Sequence, residues 1–308
     1  MRLLLLFLAL LAPALSSAQQ DRKEKRQSRI APTHPNIAYG THERHCLDLW
    51  IPKQSRDGRR FPLLIYFHGG GFVGGDKQSF DPTLYLDQGI ACASVNYRFV
   101  DGESTLSPAP FEDSARAVQT LRHRADEWNL DPGRLALSGS SAGGVITLWL
   151  GYHDDLAIPE SEDPIARQST RVCCLIPING PTNLIPDWIH SHIGGSELIH
   201  PSFRKLFGSV YSPPLTNKLR SQITSISPWE YVSEDDPPTY LVYSGRFDEL
   251  PLPSTATTGK VIHHPYFGKA LKEKLDTMGV ENDFKFGIGL KNTPVFIDFL
   301  LNQFGIID

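Results

Sequence analysis

The chain has few of the residues that build metal centres, disulfide frameworks or nucleic-acid interfaces. It contains only four cysteines in 308 residues, and none stands in a C-x-x-C or Cys/His spacing that would indicate a metal site. Most of them fall in apolar runs, where cysteine acts as a small buried hydrophobe, so no disulfide is assigned to Cys46, Cys92, Cys173 or Cys174. The formal net charge of −4 argues against a nucleic-acid partner.

Long apolar runs are also missing, apart from a short one at the amino terminus. The run from Leu3 to Ala12 is too short to span a bilayer, which takes about 20 residues. It follows Met1-Arg2 and leads into small residues ending at Ala18, which is the pattern of a secretory signal peptide. We therefore predict a signal peptide over residues 1–18, a polar tail over 19–39 and one domain over 40–308. The mature protein is expected to be exported, periplasmic or secreted, without a membrane anchor.

Nucleotide-binding motifs are absent or incomplete. The P-loop pattern G-x-x-x-x-G-K-[ST] does not occur, and residues 69–74 match G-x-G-x-x-G only formally. No apolar helix follows these glycines, and the next strand ends in Asn96-Tyr97-Arg98 without the acid that would bind a ribose. We therefore expect no nucleotide and no other cofactor.

The strongest signal in the sequence is GSSAG at residues 139–143, which fits G-x-S-x-G. A buried strand from Arg134 to Ser138 precedes it, and an apolar helix from Val145 to Leu150 follows it. This strand–turn–helix context indicates a nucleophile elbow, with small residues where strand and helix approach closely. The expected nucleophile is Ser141.

A second glycine motif, HGGG at residues 68–71, follows an apolar strand and lies upstream of the elbow. Glycine amides unobstructed by a Cβ are suited to bind a developing oxyanion. The expected oxyanion-hole donors are the backbone N–H groups of Gly70, Gly71 and Ala142.

Strands and helices alternate along the chain, which predicts an α/β fold with a mostly parallel, doubly wound sheet covered on both faces. An early strand is expected at His45 to Ile51. Residues 181–236 are rich in proline and glycine and carry three irregularly spaced histidines, His190, His192 and His200. Connections this long are usually functional, and we predict a small lid-like excursion that shapes the substrate pocket. The three histidines lack a carboxylate at a ligand-like interval, which favours surface histidines over a metal site.

Four segments together resemble the hormone-sensitive-lipase type of α/β-hydrolase, in the bacterial branch that includes feruloyl- and acetylxylan-esterase-like proteins. They are HGGGFVGGDK (68–77), SVNYRF (94–99), DPGRLALSGSSAGG (131–144) and DPPTYLVYSGRFDELP (236–251). The resemblance extends over roughly residues 40–305. It implies an α/β-hydrolase fold and a serine carboxyl-ester hydrolase that acts on small acyl esters, with a small-molecule or polysaccharide substrate carrying acetyl or feruloyl groups.

The resemblance also implies a triad acid and a triad base, and the base is missing from its expected place. Asp248, in the G-x-x-D that follows a predicted strand, corresponds to the acid. The family's base is expected in a G-x-G-H-like turn, but here that turn ends in Leu290, and no histidine follows His264. Either His263 or His264 supplies the base, with His264 favoured because it begins a helix, or the fold is catalytically impaired and serves for binding. An amidase or formamidase would use the same residues and remains a third interpretation.

Overall fold

Eight strands form a single mixed sheet in the computed structural model, which describes residues 30–196, 200–208, 214–288 and 296–307. The spatial order is β1-β2-β4-β3-β5-β6-β7-β8. The first two strand pairs, β1 with β2 and β2 with β4, are antiparallel, and the other five are parallel. The strands are β1 His34–Ala38, β2 Cys46–Trp50, β3 Phe61–Phe67, β4 Ala91–Val95, β5 Leu130–Ser140, β6 Cys174–Ile178, β7 Thr239–Tyr243 and β8 Asn282–Phe286.

Helices cover both faces of this sheet. They are α1 Thr83–Leu86, α2 Ala109–His123, α3 Ala142–Tyr152, α4 Pro186–His192, α5 Pro201–Phe207, α6 Asn217–Thr224, α7 Thr258–Ile262, α8 Tyr266–Met278 and α9 Ile297–Gln303. Short 3₁₀ turns lie at Lys77–Ser79, Ala125–Trp128 and Pro228–Tyr231. In the described ranges, no helix combines the length and the apolar character needed to cross a membrane.

The central strands β3, β4 and β7 are apolar on both faces because each face packs against its own core. One core includes Phe111 and Trp149, from helices α2 and α3, and the other includes Phe296 and Leu300, at the start of helix α9. Burial of a large apolar side chain contributes roughly 1.5–3 kcal/mol, so runs of this composition are stable only between two covered faces. The predicted mostly parallel sheet with flanking helices is confirmed.

Two boundaries of the predicted elements need correction. Residues 34–38, assigned to the polar tail, form the edge strand β1, which pairs antiparallel with β2. This strand is short and mostly exposed, so its sequence has no continuous apolar run to reveal it. The elbow strand, expected at Arg134 to Ser138, begins at Leu130. The predicted signal peptide, residues 1–18, and the tail up to residue 29 lie outside the described residues.

The predicted lid-like segment, residues 181–236, lies between β6 and β7. Its described part contains helices α4, α5 and α6 and one 3₁₀ turn. Phe203 and Leu206 on α5 are buried and line the cavity beside Ser141. This segment therefore supplies part of the wall of the candidate site.

Candidate active site

Ser141 lies at the turn between β5 and α3, in a backbone conformation that residues other than glycine rarely adopt. Its φ is 55° and its ψ is −116°, and its N–H donates to the carbonyl oxygen of Ile178 at 2.8 Å. Such a conformation costs of order 1–3 kcal/mol and persists only where the surroundings impose it. The predicted nucleophile elbow is present at Ser141.

Two glycines let the elbow form because no side chain fits at either position. A Cβ at Gly139 would overlap the carbonyl oxygen of Gly143, and a Cβ at Gly143 would overlap the carbonyl oxygen of Phe67. Strand β5, helix α3 and the end of β3 thus approach more closely than any other residue type permits. This contact brings the serine next to the loop that follows β3.

We call residues 68–71 the oxyanion loop. His68 holds the first turn of this loop. Its Nδ1 lies 2.7 Å from the carbonyl oxygen of Gly69, and its Nε2 lies 3.2 Å from Nη2 of Arg44. Because arginine can only donate, Nε2 accepts and Nδ1 carries the proton that it donates to Gly69. Burial, together with the neighbouring Arg44 charge, lowers the pKa of His68 to about 4. The imidazole is therefore neutral at physiological pH and has a fixed tautomer.

The oxyanion loop keeps its amides available for a ligand. Tyr97 donates a hydrogen bond of 2.7 Å to the carbonyl oxygen of His68. Gly70 and Gly71 have φ of 111° and 62°, which are left-handed values that favour glycine. In the described parts of the chain, no backbone carbonyl accepts from the amides of Gly70, Gly71 or Ala142, and all three residues line the cavity beside Ser141. Their assignment as oxyanion donors stays a prediction that this geometry suits.

The histidine that contacts the serine is His263. Its Nε2 lies 2.8 Å from Oγ of Ser141, a distance suited to proton transfer from a nucleophile to a general base. Of the two candidate bases, the structure brings His263 to Ser141 and not His264, which was favoured on the sequence. His264 is 2% exposed, its Nδ1 accepts from the backbone N–H of Tyr266 at 3.1 Å, and its ring meets the edge of Phe247. His264 thus accepts a backbone hydrogen bond at the start of helix α8.

The environment keeps His263 in the neutral form that accepts a proton. Burial lowers its pKa below the usual 6.5, and the neighbouring His200 lowers it further, whereas a hydrogen bond with the backbone of Gly259 raises it. The carbonyl oxygen of Gly259 also accepts the backbone N–H of His263 at 3.2 Å, which holds the residue at the end of helix α7.

Asp248 does not reach this histidine. Its carboxylate pairs with Nζ of Lys260 at 3.1 Å, and both side chains are nearly half exposed. Its negative charge raises the pKa of His264, against the larger effect of burial, and does not figure among the influences on His263. In the described residues, no carboxylate hydrogen-bonds His263. The role of triad acid that the resemblance implied for Asp248 is not supported by this arrangement. Leu290, the other departure from the family pattern, lies outside the described residues.

A cavity of about 470 Å³ opens at Ser141 and His263. Its volume falls within the range of small-molecule sites. Apolar side chains make up one part of the lining: Phe72, Val73, Val145, Leu184, Phe203, Leu206 and Ile262. Through the described segments, no cluster of three or more metal-ligating side chains is present.

Two polar residues of the cavity were missed as site residues, His200 and Ser202 at the start of α5. His200 had been assigned to the surface because its spacing to other histidines has no regularity. The available signal was its position directly before Pro201-Ser202, since a side-chain acceptor followed by proline is typical of a helix start.

Comparison with known proteins agrees with this geometry. The BD-FAE family model matches residues 47–256, which is more than half of the chain and includes the oxyanion loop, the elbow and Asp248. The chain belongs to the BD-FAE family.

Among sequence relatives of this BD-FAE member, the carboxylic ester hydrolase LipN of Mycobacterium tuberculosis is 38% identical over 94 residues, which cover 29% of this chain and 24% of LipN. The probable carboxylic ester hydrolase LipM of the same organism is 26% identical over 225 residues, which cover 70% of this chain and 48% of LipM. The chain thus spans less than half the length of these relatives.

Solved structures resemble the BD-FAE member over most of its length. An acetyl ester-xyloside bifunctional hydrolase from Caldicellulosiruptor lactoaceticus gives a TM-score of 0.66 at 22% identity, covering 91% of this chain and 100% of that one. A truncated form of a carbohydrate esterase from gut microbiota gives 0.68 at 20% identity, covering 88% and 95%. At such identities the likeness concerns the fold, and the predicted α/β-hydrolase fold is confirmed.

Proposed function

We propose that this protein is a cofactor-free serine carboxyl-ester hydrolase for small acyl esters. The observation that carries the proposal is the 2.8 Å contact between Ser141 Oγ and His263 Nε2. The backbone amides of Gly70, Gly71 and Ala142 line the same cavity, and none of them has a backbone acceptor among the described residues. The names of the relatives, carboxylic ester hydrolases, support the same activity.

The reaction follows from the positions of these groups. His263 takes the proton of Ser141 as Oγ attacks the ester carbonyl, and the amides of Gly70, Gly71 and Ala142 stabilise the oxyanion that forms. His263 then gives the proton to the leaving alcohol, and a water activated in the same way releases the acid. The carbonyl oxygen of Gly259 holds His263 at the end of α7 by accepting its backbone N–H at 3.2 Å.

For the natural substrate we propose acetyl or feruloyl esters on an extracellular polysaccharide. Support comes from the predicted signal peptide, which would bring the enzyme to such polymers, and from structural neighbours named as an acetyl ester-xyloside hydrolase and a carbohydrate esterase. A cavity of about 470 Å³ accommodates a small acyl group together with part of a sugar.

The test is release of acetate from acetylated xylan, beside release of ferulate from feruloylated arabinoxylan. The matched blank is the same protein inactivated with a fluorophosphonate, and peptide mass spectrometry locates the label. We expect acetate release well above the blank and the label on Ser141. No product above the blank together with an unlabelled Ser141 would reject the esterase.

A second candidate function is a hydrolase-fold protein retained for binding. The observation that favours it is the absence of a carboxylate from His263 within the described residues. Such a protein would bind the acetylated polymer without consuming it, so polymer binding without acetate release separates the two functions.

Asp248→Asn is expected to change kcat/KM for p-nitrophenyl acetate by less than about threefold, because Asp248 pairs with exposed Lys260 and not with His263. Replacing an Asp that orients the base by Asn would lower kcat about 10⁴-fold. Lys260→Met is the matched control, since it breaks the same ion pair from the other side. A loss near 10⁴-fold in Asp248→Asn alone would return Asp248 to the triad.

The pH dependence of kcat/KM should have an acid limb centred below pH 6.5. Only neutral His263 accepts the serine proton, and its pKa is lowered from 6.5 by burial and by His200. The neutral form therefore persists as the pH falls to 6.5, and activity is lost on passing through the lower pKa. Rates with p-nitrophenyl acetate between about pH 4.5 and 8, corrected for spontaneous hydrolysis, measure this limb. A midpoint above 6.5 would contradict the environment described for His263.

A further inference from the structure

We propose that His200 positions the alcohol part of the ester by donating a hydrogen bond from Nε2 to a substrate hydroxyl next to the scissile oxygen. This inference rests on the proposed esterase function and adds to it a specificity residue, one that selects esters of polyols and sugars.

The protonation of the His200 ring is fixed by its own helix. Its Nδ1 accepts the backbone N–H of Ser202 at 3.2 Å, capping helix α5. Burial lowers the pKa of His200, which favours the neutral ring. A neutral imidazole with an accepting Nδ1 carries its hydrogen on Nε2. Over the described ranges, that N–H has no hydrogen-bond acceptor.

The ring lies against the oxyanion loop and lines the cavity at Ser141. Its Cε1 atom, which is bonded to both ring nitrogens, is 3.5 Å from the point that a Cβ on Gly71 would occupy. His200 also lines a side chamber of about 60 Å³, together with Phe203 and Ile262. The Nε2–H donor of His200 thus belongs to a ring that lines the space that a bound ester would occupy.

His200 and His263 line the same cavity, and the charge of His200 lowers the pKa of His263. His263 must deliver its proton to the leaving oxygen, so the alcohol part of the ester lies along His263. A donor beside Gly71, in the cavity that His263 also lines, therefore meets the alcohol part. The group it suits is a hydroxyl on the carbon next to the one that bears the acylated oxygen, as in esters of vicinal polyols and of many sugars.

The expected effect is a preference for an ester that carries the hydroxyl over an analogue that lacks it. A site built to hydrogen-bond a substrate hydroxyl disfavours the analogue without it, because its own polar group stays unpaired. One neutral hydrogen bond contributes about 0.5–1.5 kcal/mol, which corresponds to a preference of up to about tenfold.

The test compares 2-hydroxyethyl acetate with propyl acetate, which have the same size and differ by a hydroxyl in place of a methyl. Two variants separate the roles of the ring. His200→Asn keeps an acceptor for the Ser202 N–H but loses the donor at the Nε2 position, and His200→Gln extends an N–H towards that position. The measured quantity is kcat/KM for the hydroxyl ester divided by kcat/KM for propyl acetate, in each variant relative to wild type.

We expect His200→Asn to lower this ratio about two- to tenfold and His200→Gln to restore part of it. An equal loss on both esters would assign His200 a structural role and overturn the inference. A ratio that stays at the wild-type value would overturn it as well. If the wild-type protein hydrolyses neither ester nor p-nitrophenyl acetate, the proposed function fails, and this inference fails with it.

Discussion

His263→Ala should lower kcat for p-nitrophenyl acetate by about 10⁴-fold or more. The hydroxyl of Ser141 is a weak nucleophile without a base, and His263 is the base within hydrogen-bonding distance, at 2.8 Å. What remains after its loss is the contribution of the oxyanion amides and of substrate binding, which is typically 10³–10⁴-fold over water.

The adjacent residue provides the control for this experiment. His264→Gln keeps a polar side chain beside the Tyr266 N–H, and we expect activity within about threefold of wild type, because His264 makes no contact with Ser141. Both variants are measured for turnover and for thermal unfolding. If His264→Gln loses the activity while His263→Ala keeps it, the base has been assigned to the wrong histidine.

Ser141→Ala should abolish acyl transfer to the same extent, about 10⁴-fold or more, because Oγ of Ser141 is the hydroxyl that contacts His263 and would form the acyl-enzyme. The variant keeps the Cβ and the backbone strain of the elbow, so we expect its melting temperature to stay within a few degrees of wild type. Stopped-flow mixing with p-nitrophenyl acetate should show the acylation burst in wild type and no burst in the variant.

The double variant sharpens this prediction. Groups that act as one unit are not additive, so Ser141→Ala with His263→Ala should be no slower than either single variant. Losses that multiply would mean that serine and histidine act independently. An undiminished burst in Ser141→Ala would remove Ser141 from the mechanism altogether.

The elbow and the oxyanion loop were predictable from sequence because their constraints are local. The overlap of a Cβ at Gly139 or Gly143 with nearby carbonyl oxygens leaves glycine as the residue that fits. The sheet was predictable for a related reason. Continuous apolar runs such as β3 are stable only between two covered faces.

The base and the acid could not be predicted in the same way. His263 and His264 are consecutive, and which of them contacts Ser141 depends on where α7 ends and α8 begins. A sequence pattern locates the ends of a helix only to within a few residues. Asp248 occupies the position that the family resemblance predicts, yet its carboxylate pairs with Lys260 of helix α7 at 3.1 Å. A family resemblance predicts which positions of the sequence correspond to one another. It does not predict the conformation of a loop.

The short helix α7 should lose its structure at a lower temperature than the central sheet. His263 ends a helix of five residues, held at its start by the Thr257 side chain, which accepts from the N–H of Lys260. One turn of helix is marginal by itself, whereas Ser141 is anchored to the central sheet. On warming, the imidazole should leave its partner before the strands separate, so inactivation would precede melting and reverse on cooling. The temperature range of the enzyme would then be set by one helical turn and not by the core.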